Sequence, residues 1–272
     1  MTNHKPRILL SNDDGIYSPG LWAVARELAQ VGYVTIAAPR EQHSGAGRSV
    51  PAWTDGEIKP TRLMIGDQEW ECYAVGGSPA QAVQYGIFAI LKKKPDLVVS
   101  GINYGENPAT DVTLSGTIGV GLEAASYGIP ALAVSLQIEG EDFLGYSRET
   151  DFSTAAIFAR RFARLLLTRK MPEDVKVLSV NVPASATPDT PWRVTRLGKH
   201  SYFEAYLKEA EKEGGLPRID AFRNPHTEDL DDPLTDVHAI NREKVVSVTP
   251  LSLDLTSRVD LLELQRSFGT LE

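Results

Sequence analysis

The chain has 272 residues, 42% of them hydrophobic and 24% charged, a folded globular composition rather than a disordered one. Its length suits one large α/β domain, or one domain with an appendage. A net charge of −8 works against broad contact with nucleic-acid polymers or anionic lipid, but allows a small phosphorylated ligand in a pocket whose field a metal inverts.

Short apolar runs alternate with helical patterns through the first two-thirds of the chain. Arg7–Ser11 reads as a buried strand. Ser18-Pro19 opens a helix, because Ser is a good N-cap and Pro suits the first turn; Leu21, Val24, Ala25 and Leu28 share its apolar face. Tyr33–Ala38 and Glu71–Val75 follow as strands, and Ser78-Pro79 opens a second helix. Asp96–Ser100 is a strand, Ser115–Tyr127 a helix closed by Gly128, and Ala131–Leu136 a strand. Asp151–Leu167 is strongly amphipathic, and Val175–Val182 is a further strand. This alternation predicts a Rossmann-like α/β fold, with a mostly parallel sheet and helices on both faces. After Pro183 the character changes. Trp192–Leu197 and Val245–Leu251 read as strands, and Ser257–Ser267 as a short helix. Between them, Lys199–Arg242 is polar and short of apolar residues, as in a flexible insertion or an arm that packs on a partner subunit.

Met1–Arg7 is polar with no apolar signal region after it, and no apolar run approaches the ~20 residues that span a bilayer. The single cysteine, Cys72, excludes an internal disulfide framework. These features lead us to expect a soluble cytoplasmic protein with no membrane contact.

In an open parallel sheet, ligands bind beyond the carboxyl ends of the strands. The first strand is followed by Asn12-Asp13-Asp14-Gly15, the second by a loop holding His43-Ser44-Gly45-Ala46-Gly47, and DLVVS by Gly101 to Asn107. Adjacent carboxylates at a strand end repel each other, and a hard cation would neutralise them, with Ser44 and Asn103 offering neutral oxygens. Asp-Gly is equally a common solvated turn. Ser115-Gly116-Thr117 at a helix start offers free N–H groups to an anion, and Ser115 also fits an ordinary N-cap. The five histidines, His4, His43, His200, His226 and His238, have no ligand-pair spacing, which argues against zinc. Arg40, Lys199 and Arg223 are cations that could reach a phosphate. No Gly-x-Ser-x-Gly elbow and no P-loop are present.

ILLSNDDGIYSPG (Ile8–Gly20), APREQHSGAGRSV (Ala38–Val50) and the run from Asp96 to Ser135, DLVVSGINYGENPATDVTLSGTIGVGLEAASYGIPALAVS, together resemble the SurE (survival protein E) family. VNVP (Val180–Pro183) and TDVHAINREKVVSVTPL (Thr235–Leu251) extend the resemblance late in the chain. The resemblance implies a catalytic core over residues 1–195. Residues 196–272 would form an extension exchanged between subunits of a homodimer or homotetramer. It implies a 5′-nucleotidase that hydrolyses nucleoside 5′- and 3′-monophosphates, and in some members short polyphosphate. One Mg²⁺ or Mn²⁺ per subunit would be held by Asp13, Asp14, Ser44 and Asn103. Asn12, Asn107, Ser115, Gly116 and Thr117 would surround the phosphate. His238 would act from the late segment, from the same chain or its partner, with Asp13 and Asp14 completing the catalytic set. Leu114 stands where members often have Tyr, and Asn241–Lys244 replaces a more usual Gly-Tyr. A non-catalytic nucleotide-binding module and a nucleotide-sugar transferase are the alternatives from other classes.

Overall fold

The computed structural model describes residues 5–139, 150–209 and 216–269. The elements run β1 (Arg7–Ser11), α1 (Pro19–Leu28), β2 (Tyr33–Pro39), β3 (Ile58–Ile65), β4 (Gln68–Val75), α2 (Pro79–Tyr85), β5 (Leu97–Tyr104), α3 (Gly116–Ser126), β6 (Ala131–Leu136), α4 (Ser153–Thr168) and β7 (Val177–Val182). Then come β8 (Trp192–Val194), β9 (Phe203–Lys208), β10 (Arg218–Arg223), α5 (Thr227–Asp231), α6 (Asp236–His238), β11 (Val246–Leu251) and α7 (Leu261–Phe268).

Nine strands form one sheet in the order β3-β4-β2-β1-β5-β6-β7-β11-β8. The six from β4 to β7 are parallel to their neighbours; β3 and β11 pair antiparallel with β4 and β7. Side chains alternate across the sheet, so β1 feeds two cores. Ile8 and Leu10 pack with Leu21 and Trp22 of α1 and Ala159 and Phe162 of α4, while Leu9 packs with Val83 of α2 and Ile118 of α3. This is the expected α/β sandwich, with helices on both faces.

The helix starts follow local chemistry. Ser78 caps α2 in a capping box: its hydroxyl accepts the Gln81 N–H at 3.2 Å, and the Gln81 side-chain oxygen accepts the Ser78 N–H at 2.9 Å. Ser115 caps α3 by accepting the Ile118 N–H at 3.2 Å.

Two regions differ from the sequence expectation. β3 pairs along all of β4 at the sheet edge, although its Pro60 and the charged Lys59 and Arg62 conceal it in the sequence. The polar stretch 199–242 is ordered where described: β9 and β10 form an antiparallel hairpin, Phe203 opposite Arg223 and Lys208 opposite Arg218. A small cluster of Ala109, Tyr202 and Val237 joins this stretch to the main domain. No helix among the described residues is long and apolar enough to cross a membrane. Cys72 is buried on β4, where desolvation pushes its thiol up to about 11.

Candidate metal and phosphate site

The parallel strands bring their following loops to one rim. Asp13 and Asp14 leave β1 and are 4% and 9% exposed. Gly15 then turns the chain back with φ +94°, a conformation that favours glycine. The loop after β2 is stitched to this turn: the His43 N–H donates to the Asp13 carbonyl at 2.8 Å, and the Gly47 N–H to the Leu114 carbonyl at 2.9 Å. Ser44 is thereby carried to the cavity wall, where its hydroxyl accepts from the Gln42 amide at 2.8 Å.

Asp13 is held tightly. Its Oδ1 accepts the Thr117 hydroxyl, and the backbone N–H groups of Asp13, Gly116 and Thr117 also favour its charged form. Burial outweighs them and raises its carboxyl above the usual range. The Gly116 and Thr117 amides thus lie beside Asp13, and of that segment Ser115 lines the cavity. Asp14 Oδ2 accepts the Tyr104 N–H at 3.2 Å. The Asn103 amide donates to the Gly105 carbonyl at 2.7 Å, which turns its Oδ1 toward the Thr117 hydroxyl at 3.2 Å. One hydroxyl proton thus faces two acceptors, and Asn103 Oδ1 is left within a cluster of oxygens.

Asp13, Asp14, Asn103 and Ser44 all line one cavity of about 1000 Å³. This set fits a hard divalent cation on three counts: every donor is oxygen, two are carboxylates, and the pair is removed from water. Gly116 belongs to the fit as well. A Cβ at that position would meet Asp13 Cβ at 2.7 Å, so only glycine lets the carboxylate settle there.

The other candidates divide. Asn107 lines the cavity, anchored through its N–H to Asn181 Oδ1 at 2.8 Å and its amide to the Ser135 hydroxyl at 2.9 Å. Asn12 is fully buried and donates to the Gly15 carbonyl at 3.0 Å, so it shapes the turn rather than the cavity. Thr117 is fully buried behind Asp13. His238 lies elsewhere in the chain: its Nδ1 donates to the Leu230 carbonyl at 2.6 Å, and its Nε2 lies 3.4 Å from Glu243. Arg40 is taken up by Asp55 and Glu57, at 2.9 and 3.1 Å.

Sequence reasoning missed what roofs the cavity. The β9–β10 hairpin contributes Phe203, Tyr206 and Phe222 to its lining. Asp111 latches the hairpin by accepting the Tyr202 and Phe203 N–H groups at 2.9 and 2.8 Å and the Ser201 hydroxyl at 3.0 Å. Buried Glu106 accepts the Tyr202 hydroxyl at 3.0 Å and pairs with Arg223 of β10 at 2.5 Å. These partners are some 90 to 117 residues apart in sequence, so no local signal links them. The fold also brings together two histidines that spacing kept apart: the His200 and His226 rings stack at 3.8 Å in the cavity wall.

Comparison with known proteins places the chain in a family. The family model described as "Survival protein SurE" matches residues 8–204. A protein named 5′-nucleotidase SurE from Methanosarcina mazei is 44% identical, over 96% of this chain and 97% of that relative. One of the same name from Thermococcus gammatolerans is 40% identical, over 95% of this chain and 94% of the relative. The crystal structure of the SurE protein from Aquifex aeolicus superposes with a TM-score of 0.74 at 31% identity, covering 97% of this chain and all of that one. With a family match over most of its length, and relatives this similar from end to end, the chain belongs to the SurE family.

Proposed function

We propose that this chain is a metal-dependent phosphomonoesterase. It hydrolyses nucleoside 5′-monophosphates, with 3′-monophosphates and short polyphosphate as further substrates. The observation that carries the proposal is the convergence of Asp13, Asp14, Asn103 and Ser44 on one cavity at the carboxyl rim of the parallel sheet. The names of the relatives, 5′-nucleotidase SurE, support the same activity.

The oxygen donors suit one Mg²⁺ or Mn²⁺ per subunit. When bound, such an ion supplies Lewis-acid polarisation of the phosphoryl group and charge to offset its oxygens. The chain's own residues do the rest. Thr117 and the start of α3 fix Asp13, so the acidic pair needs little rearrangement as charge develops. Asp14, on the cavity wall, accepts from the attacking water and orients it. Asn107 retains an amide N–H beyond its Ser135 contact and, with Ser115, borders the space a phosphate would fill. The hairpin roof limits water around the ester, which strengthens every charge interaction beneath it. We assign His238 no step within one subunit, because its ring is engaged by Leu230 and Glu243.

We read residues 1–195 as the catalytic core and 196–272 as an extension that also closes the site and exchanges between subunits of a homodimer or homotetramer. Helix α7 supports this, since it buries none of its residues in its own chain and leaves Leu261, Leu262 and Phe268 exposed. The test is phosphate release from a panel of nucleoside monophosphates with Mg²⁺ or Mn²⁺, with and without chelator. The proposal expects metal-dependent release. Nucleotide binding without release would indicate a binding module, and activity only with an activated sugar donor would indicate a transferase.

A further inference from the structure

We propose that His200, His226 and Glu228 form a second divalent-cation site, selective for borderline metals such as zinc, that staples the root of the β9–β10 hairpin. The donor atoms of the three residues lie within 4.8 Å of one another. Ligands around tetrahedral zinc, at ~2.0–2.1 Å from the ion, stand about 3.4 Å apart. Closing the site therefore needs the donor atoms to draw in by up to about 1.4 Å and the near-parallel His200 and His226 rings to turn out of their stack, so that both in-plane lone pairs aim at one ion.

His200 already has the carboxylate support of a metal-bound imidazole. Its Nδ1 lies 3.1 Å from Asp229 Oδ2, and a carboxylate can only accept, so Nδ1 carries the proton. Asp229 is buried and fixed by the Lys199 and His200 N–H groups at 2.9 and 3.0 Å. A carboxylate that orients the far nitrogen of an imidazole is the usual support of a metal-bound histidine. The opposite nitrogen, Nε2, faces Glu228 Oε2 at 3.8 Å. A cation seated between them would take an electron pair from each, in place of any proton there. His226 stacks on His200 at 3.8 Å, and its Nδ1 only weakly accepts the Glu228 N–H, at 3.3 Å, so that nitrogen's lone pair can turn to a metal.

Position gives the site its consequence. His200 lies three residues before β9 and His226 three residues after β10, so one ion would tie both ends of the hairpin that roofs the cavity. Imidazole donors favour zinc, cobalt or nickel, whereas the oxygen-only Asp13–Asp14 set favours magnesium or manganese. The inference does not depend on the phosphatase reading.

The test is equilibrium dialysis of the full chain against zinc in excess Mg²⁺, with bound metal read by atomic emission. The Asp14→Asn protein serves as parent, to weaken uptake at the acidic pair. The parent should hold one zinc per chain. Adding His226→Asn, which keeps a side-chain acceptor for the α5 cap, should weaken retention by about 10- to 100-fold. His200→Gln should do the same, with circular dichroism unchanged in both. Cobalt in place of zinc should give a visible absorption band that His226→Asn abolishes. No zinc on the parent, or equal retention by the parent and both histidine variants, overturns the proposal.

Discussion

Gly116→Ala separates the site from the fold. Gly116 begins α3 with ordinary helical backbone, so alanine meets no backbone strain there. Its Cβ would lie 2.7 Å from Asp13 Cβ and 2.9 Å from Asp13 Oδ2. Carbon atoms in contact normally sit ~3.5–4.0 Å apart, so Asp13 must retreat by about 1 Å. A misplacement of that size in a catalytic constellation costs about 100-fold in rate. The helix gains up to about 1 kcal/mol from alanine, against about 1–3 kcal/mol for the overlap. The net loss is about 0–3 kcal/mol, which lowers Tm by at most about 12 °C. Metal-dependent phosphate release and a thermal melt on the same preparation read both effects. The expected result is kcat/KM down about 100-fold in a cooperatively melting protein. Activity within about threefold of the parent would refute the placement of Asp13 at the centre of the site.

Asp111→Ala leaves the Tyr202 and Phe203 N–H groups and the Ser201 hydroxyl without their acceptor. A lost buried acceptor costs about 1–3 kcal/mol per stranded group, so the hairpin should loosen and raise KM more than it lowers kcat. Unchanged amide exchange over β9 would contradict its role as a latch. Asp236 tests linkage, because burial raises its carboxyl from 3.8 to about 6 despite N–H bonds from Ala109, Gly198 and Val237. Well below pH 4 it is protonated whether the chain is folded or unfolded; between about pH 4 and 6 the unfolded chain gives up the proton that the folded chain keeps, and stability falls by on the order of 3 kcal/mol before levelling off above 6. In Asp236→Asn that decline should vanish, although a constant loss from mismatched hydrogen bonds will remain. Urea midpoints at several pH values that run parallel for parent and variant would show the assignment to be wrong.

Much of the core was legible because its signals are local. Buried strands such as β1, β5 and β6 read as short apolar runs, and Ser-Pro before α1 and α2 marked their starts. β3 was hidden because an edge strand with one solvated face carries charges and tolerates Pro60. The β9–β10 hairpin was hidden for a related reason: its strands bury no full face, so no period-two pattern forms. At the site, Asp13-Asp14-Gly15 stood out because adjacent carboxylates need a partner. The helix-start segment also stood out, but its closeness to Asp13 comes from tertiary packing that no local pattern encodes. Glu106, Asp111 and the His200–His226 pair act through partners distant in sequence, which no local pattern encodes.

The central claim is that the acidic pair after β1 binds the ion on which hydrolysis depends. Mn²⁺ binding followed by electron paramagnetic resonance, on parent and Asp14→Asn, tests it most directly when phosphate release is measured on the same samples. The account predicts that the substitution weakens Mn²⁺ binding and abolishes turnover together, with circular dichroism unchanged. Equal Mn²⁺ affinity and equal turnover in the two proteins would contradict it.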